Sequence, residues 1–560
     1  MKIFLCQQNY RIGDLEANTQ KIISAIRAAK AQNGDLIVFP ELAVCGYPPL
    51  DLLQFDEFIE RCLGAVAQIK QEADSIGVLL GAPSRNEDPL GKDLFNSAYF
   101  LFEQEIKQVI HKTLLPTYNI FDEYRYFEPA TRWQVVDFKG KKLAVTICED
   151  IWNLNENPMY RQCPMDELVK QQPDIMINLS ASPFDYVHNE GRQYNVKRNV
   201  LQYKLPMIYV NAVGAQTEVI FDGGSMAMDV QGNIVATLPF FSEGLQQVTF
   251  QEDNSFAEEV ISSSDKIPVM KRIPEQYDQA RDIGEIHQAL VLGIRDYFQK
   301  MGFKKAVLGS SGGVDSAIVQ ALASEALGSE NVHAVLLPSQ FSTTHSVSDA
   351  ELLCQNLGNP FHILPIKEIF DQIEKTLHPV FNDLPFNVTE ENIQARIRGL
   401  LLMAVSNKFG NILLNTSNKS EAAVGYGTLY GDMAGGISVL GDVYKTQVYE
   451  LGRFINRMKE IVPVNILTKA PSAELRPGQK DSDSLPDYEQ LDPILYQYVE
   501  HNRGLKEIVS LGFEEGLVRR ILNLVNKNEF KRQQFCPILR VSPRAFGAGR
   551  VMPVVARYDW

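Results

Sequence analysis

Residues 309–316 read GSSGGVDS, set between a short apolar stretch, AVLG at 306–309, and an apolar-periodic stretch, SAIVQALASEAL at 316–327. The first has the make-up of a strand and the second that of a helix, so the octapeptide reads as a strand–turn–helix junction. Gly312 and Gly313 let the backbone come close to a ligand, and amide groups at the start of a helix point at negative oxygens. The junction is a phosphate cradle. It is not the familiar P-loop, because no Gly-Lys-Ser/Thr closes it. Outward from it the patterns keep alternating. A helix, GEIHQALVLGIRDYFQKMG, occupies 284–302, and HAVLLP, FHILPI and NILLNTS follow as strands with helices between them. That order predicts a doubly wound parallel sheet within residues 283–560.

Residues 1–250 alternate in the same way. Strand candidates are KIFLCQQ, DLIVFPEL, GVLLGAP, SAYFLF, KLAVTICED, DIMINLSAS and MIYVNAVGA, with amphipathic stretches such as NTQKIISAIRAAKAQ between them. This is an α/β layered pattern. Residues 251–282 are polar, mostly acidic and hold two prolines, so they read as a linker. A segment rich in Asp, Ser and Pro, 474–492, is either a mobile lid over a site or a disordered loop.

Composition narrows the function. With 45% hydrophobic and 22% charged residues, a 560-residue chain can bury large cores. A net charge of −15 without any strongly basic block argues against a duplex nucleic-acid binder, while a nucleotide site can still be locally basic. Seven scattered cysteines form no CxxC pair, which suggests reduced thiols rather than a disulfide framework or a zinc site. The apolar run at the N-terminus is shorter than a signal-peptide core, and no run approaches the ~20 residues of a membrane span. A soluble, cytoplasmic protein is expected.

In the first half, three polar residues each follow a strand. FPELAVCGYPP carries Glu41, HKTLLPTYNIFDEYRYF carries Lys112 and KLAVTICEDIW carries Cys148. Strand C-termini line one edge of an α/β sheet, where reactive groups collect. Together the three would cleave an amide. Glu41 takes the thiol proton, the Cys148 thiolate attacks the carboxamide carbon, and the Lys112 ammonium stabilises the oxyanion. Singly, each is also what a buried filler thiol or a solvated loop provides.

In context, FPE, HK and C-E-D resemble the motifs of the nitrilase superfamily, over about residues 1–250. The resemblance implies a nitrilase-like αββα layered domain. It also implies glutamine contacts at Tyr118 in the TYN turn and at Ser182 and His188 in NLSASPFDYVHNEGR (178–192), with Ser182 gripping the amino-acid end. The cradle resembles the pyrophosphate loop of the ATP-pyrophosphatase family, a Rossmann-like, adenine nucleotide α-hydrolase-like fold. That family cleaves ATP between its α and β phosphates. Gly309, Ser310, Ser311, Gly312, Gly313, Val314, Asp315 and Ser316 would then surround ATP, with Asp315 holding Mg²⁺ against the phosphates.

A nitrilase-like half followed by such a loop resembles the glutamine-dependent NAD⁺ synthetases over nearly the whole chain. On ENIQARIRG (391–399), Asn392 and Arg396 are i and i+4 and share a helix face. By the resemblance Arg396 meets a dinucleotide pyrophosphate and Asn392 its ribose or base. Thr416 meets ATP, Glu421 shares Mg²⁺ with Asp315 beside the dinucleotide, and Asp432 faces the pyridine ring. Lys445 and Ser472 contact ATP phosphates, and Lys531 reaches the dinucleotide. The implied reaction is adenylylation of the nicotinate carboxylate of deamido-NAD⁺ by ATP. Ammonia released from glutamine and led through a dry passage then displaces AMP. A homo-oligomer is implied as well. Two other readings remain open. The same modules could amidate a different carboxylate, or the nucleotide loop could sense ATP without turnover. The Arg396 and Lys531 segments favour a dinucleotide, and an intact Glu41–Lys112–Cys148 set beside Asp315 and Ser316 argues against a mere sensor.

Overall fold

The computed structural model describes residues 1–154, 158–261, 276–277, 282–382, 384–483, 485–558 and 560, without the side chains of 188–190. The chain folds as two compact units, Met1–Arg272 and Ile273–Trp560.

The first unit is built on β1 (Lys2–Gln7), β2 (Leu36–Val38), β3 (Gly77–Arg85), β4 (Leu94–Phe102), β5 (Glu105–His111), β6 (Val136–Phe138) and β7 (Lys141–Ile147). These are followed by β8 (Ile175–Ser180), β9 (Met207–Asn211), β10 (Val213–Gln216), β11 (Val219–Asp222), β12 (Met226–Met228), β13 (Ile234–Thr237) and β14 (Gly244–Thr249). They form two six-stranded sheets, ordered β14-β1-β2-β3-β4-β5 and β13-β12-β9-β8-β7-β6, with β10 and β11 as a separate hairpin. Alternate residues of each strand face opposite layers. Ile3, Leu5 and Val38 of one sheet meet Val145, Ile147 and Ile177 of the other in a shared core. Phe4, Ile37 and Val78 face outward onto Ile22, Ile26 and Ile59 of α1 (Leu15–Ala31) and α2 (Asp56–Lys70). Ala144, Met176 and Tyr209 pack under Met165 of α3 (Pro164–Leu168) and Val196 of α4 (His188–Tyr203). The result is the expected αββα sandwich.

One close approach sets the start of the first site. A Cβ on Gly81, in the middle of β3, would lie 2.4 Å from both the Pro40 oxygen and the Leu42 nitrogen. Only glycine lets the segment carrying Glu41 lie flat on that strand. Of the stretch read as a linker, 251–261 runs back along this unit. Phe250 bridges Phe256, Ala257 N donates to Thr249 O, and Ile261 N donates to Ile234 O. Residues 262–275 and 278–281 of that stretch lie outside the described residues.

The second unit holds β15 (Ala306–Gly309), β16 (Val332–Leu336), β17 (Phe361–Ile363), β18 (Ile412–Asn415) and β19 (Ile437–Ser438). All pair in parallel, in the order β17-β16-β15-β18-β19. The chain runs outward from β15 in one direction and then restarts at β18 on its other side. The loops after these two strands therefore diverge at a topological switch point, where α/β sheets place ligands. Around the sheet lie α5 (Ile283–Met301), α6 (Val314–Leu327), α7 (Thr344–Leu357), α8 (Lys367–Phe381) and α9 (Val388–Phe409), then α10 (Lys419–Val424) and α11 (Lys445–Ile455). Helices α5, α6 and α11 pack together on one face. On the other, Val307, Val335 and Leu413 meet Phe370 of α8 and Ile393 and Ile397 of α9. Helix α10 packs against the later helices Tyr488–Val499 and Glu515–Lys527.

The strands that sequence reading did not anticipate, β6, β11 to β14 and β19, are short. The longest, β14 (GLQQVT), is polar and half-buried at a sheet edge, so it lacks the apolar run that marks a strand.

Candidate active sites

The first unit buries a lysine between two acids. Lys112 Nζ lies 2.7 Å from Glu41 Oε1 and 2.8 and 2.9 Å from Glu123 Oε1 and Oε2. Asn96 Nδ2 donates to Glu41 Oε1 at 2.7 Å and to Glu123 Oε2 at 3.2 Å, and Tyr47 OH donates to Glu123 Oε1 at 2.7 Å. The other Glu41 oxygen accepts from Ala181 N at 3.1 Å. Burial works against the Lys112 ammonium, but Glu123 and Glu41 outweigh it and hold the amine well above its ordinary pKa. It is a fixed positive charge.

Cys148 opens a 3₁₀ turn, Cys148–Ile151, directly after β7 and adopts φ 41°, in the left-handed region. Such strain persists where the surroundings over-determine it. Here Asp150 does so. Its buried carboxylate accepts from Thr113 N at 3.0 Å, Leu114 N at 2.9 Å and Ile147 N at 3.0 Å, tying the HK stretch to the C-E-D turn. Burial, and next the Glu41 charge, push the Cys148 thiol well above its usual range, so at rest it keeps its proton. A thiol in that state attacks only with a base to take its proton, and Glu41 is the first carboxylate among the charges that act on it.

Glu149 accepts from Tyr118 OH at 3.0 Å on both oxygens and from Tyr160 OH at 3.2 Å. Burial raises its carboxyl to about 7. Ser182 is buried, its N–H donating to Asn211 Oδ1 at 2.8 Å and its carbonyl accepting from Asn211 Nδ2 at 3.1 Å. The side chain of His188, the third expected glutamine contact, lies outside the described residues. Sequence reading missed Glu123, Asn96 and Asp150. Asp150 sits two residues after Cys148 and could have been found there. Glu123 and Asn96 look like ordinary turn and strand residues in sequence.

The second unit has a cavity of about 320 Å³ at the switch point. The cradle lines it from Gly309 to Ser316 apart from Gly312, together with Thr416, Glu421, Asp432, Lys445 and Ser472. The cradle's own hydroxyls fold it. Gly313 N donates to Ser311 Oγ at 3.2 Å, Ser316 Oγ to Gly313 O at 3.1 Å and Ser311 N to Ser316 Oγ at 3.3 Å. Ser310 Oγ donates to Gln320 Oε1 at 2.9 Å, and Val314 starts α6. Gly312, at φ 77°, is pressed against the first turn of α7.

Lys445 Nζ lies 2.5 Å from Asp315 Oδ2 and 3.2 Å from Glu421 Oε1. Burial raises the Glu421 carboxyl to about 8. Lys445 opposes that shift and Asp315 adds to it. Two carboxylates sharing one ammonium, with one of them still pushed toward protonation, fit a site that takes a further cation. The residues therefore suit Mg²⁺.

The residues expected to meet the dinucleotide divide. Asp432 lines the cavity, whereas Asn392, Arg396 and Lys531 converge beside it on the turn at 425–432. Asn392 Oδ1 accepts from Thr428 Oγ1 at 2.7 Å, and Arg396 Nε donates to Leu429 O at 3.2 Å. Lys531 Nζ donates to the Gly425 and Gly427 oxygens at 2.7 and 2.8 Å, and Asp432 Oδ1 accepts from Thr428 N at 2.6 Å. Arg398, which sequence reading passed over, lines the cavity in place of Arg396. Its Nε donates to Leu337 O at 3.0 Å, and burial lowers its pKa to about 10. Arg398 stands three and four residues after buried Ala395 and Gln394, so helical spacing puts it on the buried face.

From the stretch 474–492, Glu474, Leu475 and Asp481 line the same cavity. Glu474 accepts from Thr343 Oγ1 and Ser346 Oγ, each at 2.8 Å, and Asp481 accepts from Tyr426 OH and Tyr488 OH, each at 3.1 Å. Ser472 Oγ donates to Gln479 O at 2.5 Å, closing the turn before it.

Comparison with known proteins gives matches across both units. The carbon-nitrogen hydrolase family model matches residues 2–255 and the NAD synthase family model residues 286–535. The chain is 45% identical over 563 residues to the glutamine-dependent NAD(+) synthetase of a Synechocystis strain, covering 99% of each. It is 40% identical over 580 residues to that of Thermotoga maritima, covering 100% of this chain and 99% of the relative. A solved glutamine-dependent NAD⁺ synthetase from Acinetobacter baumannii, in complex with ADP, is 38% identical with a TM-score of 0.76. It covers 99% of this chain and 98% of its own. One from Cytophaga hutchinsonii, at 20% identity, 99% and 98% coverage and a TM-score of 0.82, shares the fold. Among the described residues no helix is long and apolar enough to cross a membrane.

Proposed function

We infer the activity from one premise: the chain belongs to the glutamine-dependent NAD⁺ synthetase family. It converts deamido-NAD⁺ to NAD⁺ with ATP as co-substrate and glutamine as the source of nitrogen. The observation that carries this reading is the presence in one chain of two different machines. One is the Glu41–Lys112–Glu123 cluster beside the Cys148 turn, and the other is the Gly309–Ser316 cradle with Asp315, Lys445 and Glu421 at its mouth.

In the first unit Glu41 draws the proton from the Cys148 thiol, and the sulfur attacks the carboxamide carbon of glutamine. The fixed Lys112 charge faces the developing oxyanion. The proton then goes to the leaving ammonia, and water attacks the thioester to release glutamate. Tyr118 and Ser182 orient the glutamine, and Glu149 holds the Tyr118 hydroxyl.

In the second unit an oxygen of the nicotinate carboxylate attacks the α-phosphorus of ATP, and pyrophosphate leaves into the cradle. Ammonia then attacks the acyl carbon and AMP departs. The cradle amides and the Lys445 ammonium take up charge on the phosphates, with Thr416 and Ser472 beside them. Asp315 and Glu421 would hold Mg²⁺, which neutralises charge on the departing pyrophosphate. Asn392, Arg396, Asp432 and Lys531 receive the dinucleotide around the turn they share. Ammonia in neutral water is mostly ammonium, so nitrogen released on the protein keeps its nucleophilicity.

The protein works in the cytoplasm, a reading supported by seven cysteines that are all free thiols. It works as a homo-oligomer, supported by exposed Leu384, Phe386, Val388, Leu400 and Phe409 along and beside α9. The test is one assay. Purified protein with glutamine, ATP, Mg²⁺ and deamido-NAD⁺ yields glutamate, AMP and pyrophosphate in equal amounts. ADP as the product, or equal turnover with unrelated carboxylates, overturns the reading.

A further inference from the structure

We propose that Asp492, which lies outside the cavity, is a positioning residue for the ATP-dependent step and sets where Lys445 and Glu421 stand. It sits in the helix Tyr488–Val499 and is completely buried. Its Oδ1 accepts from Ser420 Oγ at 2.5 Å, and its Oδ2 accepts from Thr446 N at 3.0 Å and Thr446 Oγ1 at 2.9 Å. Ser420 Oγ in turn accepts from Lys445 N at 2.9 Å. One carboxylate thus closes a ring of bonds between two helix starts.

The position of that ring matters. Lys445 and Thr446 are the first two residues of α11, and their N–H groups are among those a helix cannot satisfy internally. Ser420 is the second residue of α10 and precedes Glu421. Asp492 therefore caps one helix with its negative charge and clamps the other to it through Ser420. Lys445, whose ammonium meets both Asp315 and Glu421 at the cavity, leaves from a residue of this ring, and Glu421 directly follows Ser420 of the ring. A shift of either helix start would be carried to Lys445 Nζ or Glu421 Oε1. An error of about 1 Å in a catalytic group can cost on the order of a hundredfold in rate. The inference rests on the reading of this cavity as the ATP site.

The test is ammonium-driven AMP formation in Asp492→Ala, Asp492→Asn, Lys445→Ala and the double variant Asp492→Ala/Lys445→Ala. Asp492→Ala should lower kcat about tenfold or more, with a smaller rise in KM for ATP. Asp492→Asn keeps the shape and an acceptor for Thr446, and should recover most of the rate. The double variant should be slower than Lys445→Ala by much less than the factor that Asp492→Ala costs alone, because much of the carboxylate's effect runs through the lysine. If the two losses multiply, or if asparagine fails to rescue a folded variant, Asp492 does not position Lys445 and the inference falls. If Lys445→Ala itself keeps full activity, the reading of the cavity fails first, which is a separate result. Should Asp492→Ala not fold, Ser420→Ala cuts the link to Lys445 N and takes its place in the cycle, with the same expected non-additivity.

Discussion

A Cβ on Gly312 would lie 2.1 Å from the carbonyl oxygen of Ser346, so the cradle and the first turn of α7 touch where only a glycine fits. The same residue has φ 77°, which costs an L-residue about 1–2 kcal/mol in addition to the overlap. Gly312→Ala should therefore distort the loop that receives pyrophosphate. AMP formation should fall at least tenfold, while glutamate release measured without ATP persists. Unchanged AMP formation would show that the loop does not shape the ATP site.

Cys148→Ala should abolish glutamine-driven synthesis and leave ammonium-driven synthesis standing. The thiol is needed only to liberate ammonia, and free ammonia bypasses that step. Loss of both activities in a folded variant would mean that the two units do not divide the work in this way.

Glu123→Gln should impair glutamine hydrolysis although Glu123 is not the proposed base. The substitution leaves Lys112 with one counter-charge, so Glu41 becomes the sole partner of a buried ammonium and a weaker base. A fall of about tenfold or more in hydrolysis is expected. Glu123→Ala should also destabilise the protein, by about 1–3 kcal/mol, because it leaves the buried Tyr47 hydroxyl without its acceptor. Denaturant unfolding and a glutamate assay measure the two effects separately.

Glu149 should leave a signature in the pH dependence of stability. Burial raises its carboxyl from 4.5 to about 7, so between those values the folded state holds a proton that the unfolded chain has lost. Stability must then fall as pH rises through that window, by up to about 3 kcal/mol, and level off above it. Glu149→Gln cannot titrate. The unfolding free energy of the parent should therefore decline relative to this variant between about pH 4.5 and 7. A constant difference would mean that the group titrates normally.

Arg396 and Arg398 should separate two substrates from different faces of one helix. Arg396 is exposed at the turn shared with Asn392 and Lys531, so Arg396→Ala should raise KM for the dinucleotide about tenfold and leave that for ATP nearly unchanged. Arg398 lines the cavity, so Arg398→Ala should weaken ATP instead. Equal losses for both substrates in Arg396→Ala would assign it to the fold.

Local patterns made part of this molecule legible before any coordinates. The cradle shows in sequence because a strand, two glycines and a helix start are adjacent, and the order of strands and helices around it gives the parallel sheet. Glu41, Lys112 and Cys148 were legible because each comes shortly after a strand, within a short motif of its own. Glu123 was not, because nothing in FDEYRYF distinguishes a carboxylate that turns inward to a lysine from one that faces water. Asp492 was hidden in the same way, and its partners Ser420 and Thr446 lie 72 and 46 residues away. Edge strands such as β14 escaped because polarity, the usual sign of a loop, is also how an exposed edge avoids pairing with other chains.

Gly81 has a consequence for anyone sorting inactive variants of this chain. It lies mid-strand, touches no reacting atom, and would be dismissed as a small residue in a sheet. Because Pro40 and Leu42 rest against it, any side chain there lifts the peptide that presents Glu41. A folded variant altered only at that position should keep ammonium-driven synthesis and lose glutamine hydrolysis. Feeding it ammonium salts would restore the phenotype, so a growth screen with and without that supplement would sort scaffold lesions of this kind from lesions in the other unit.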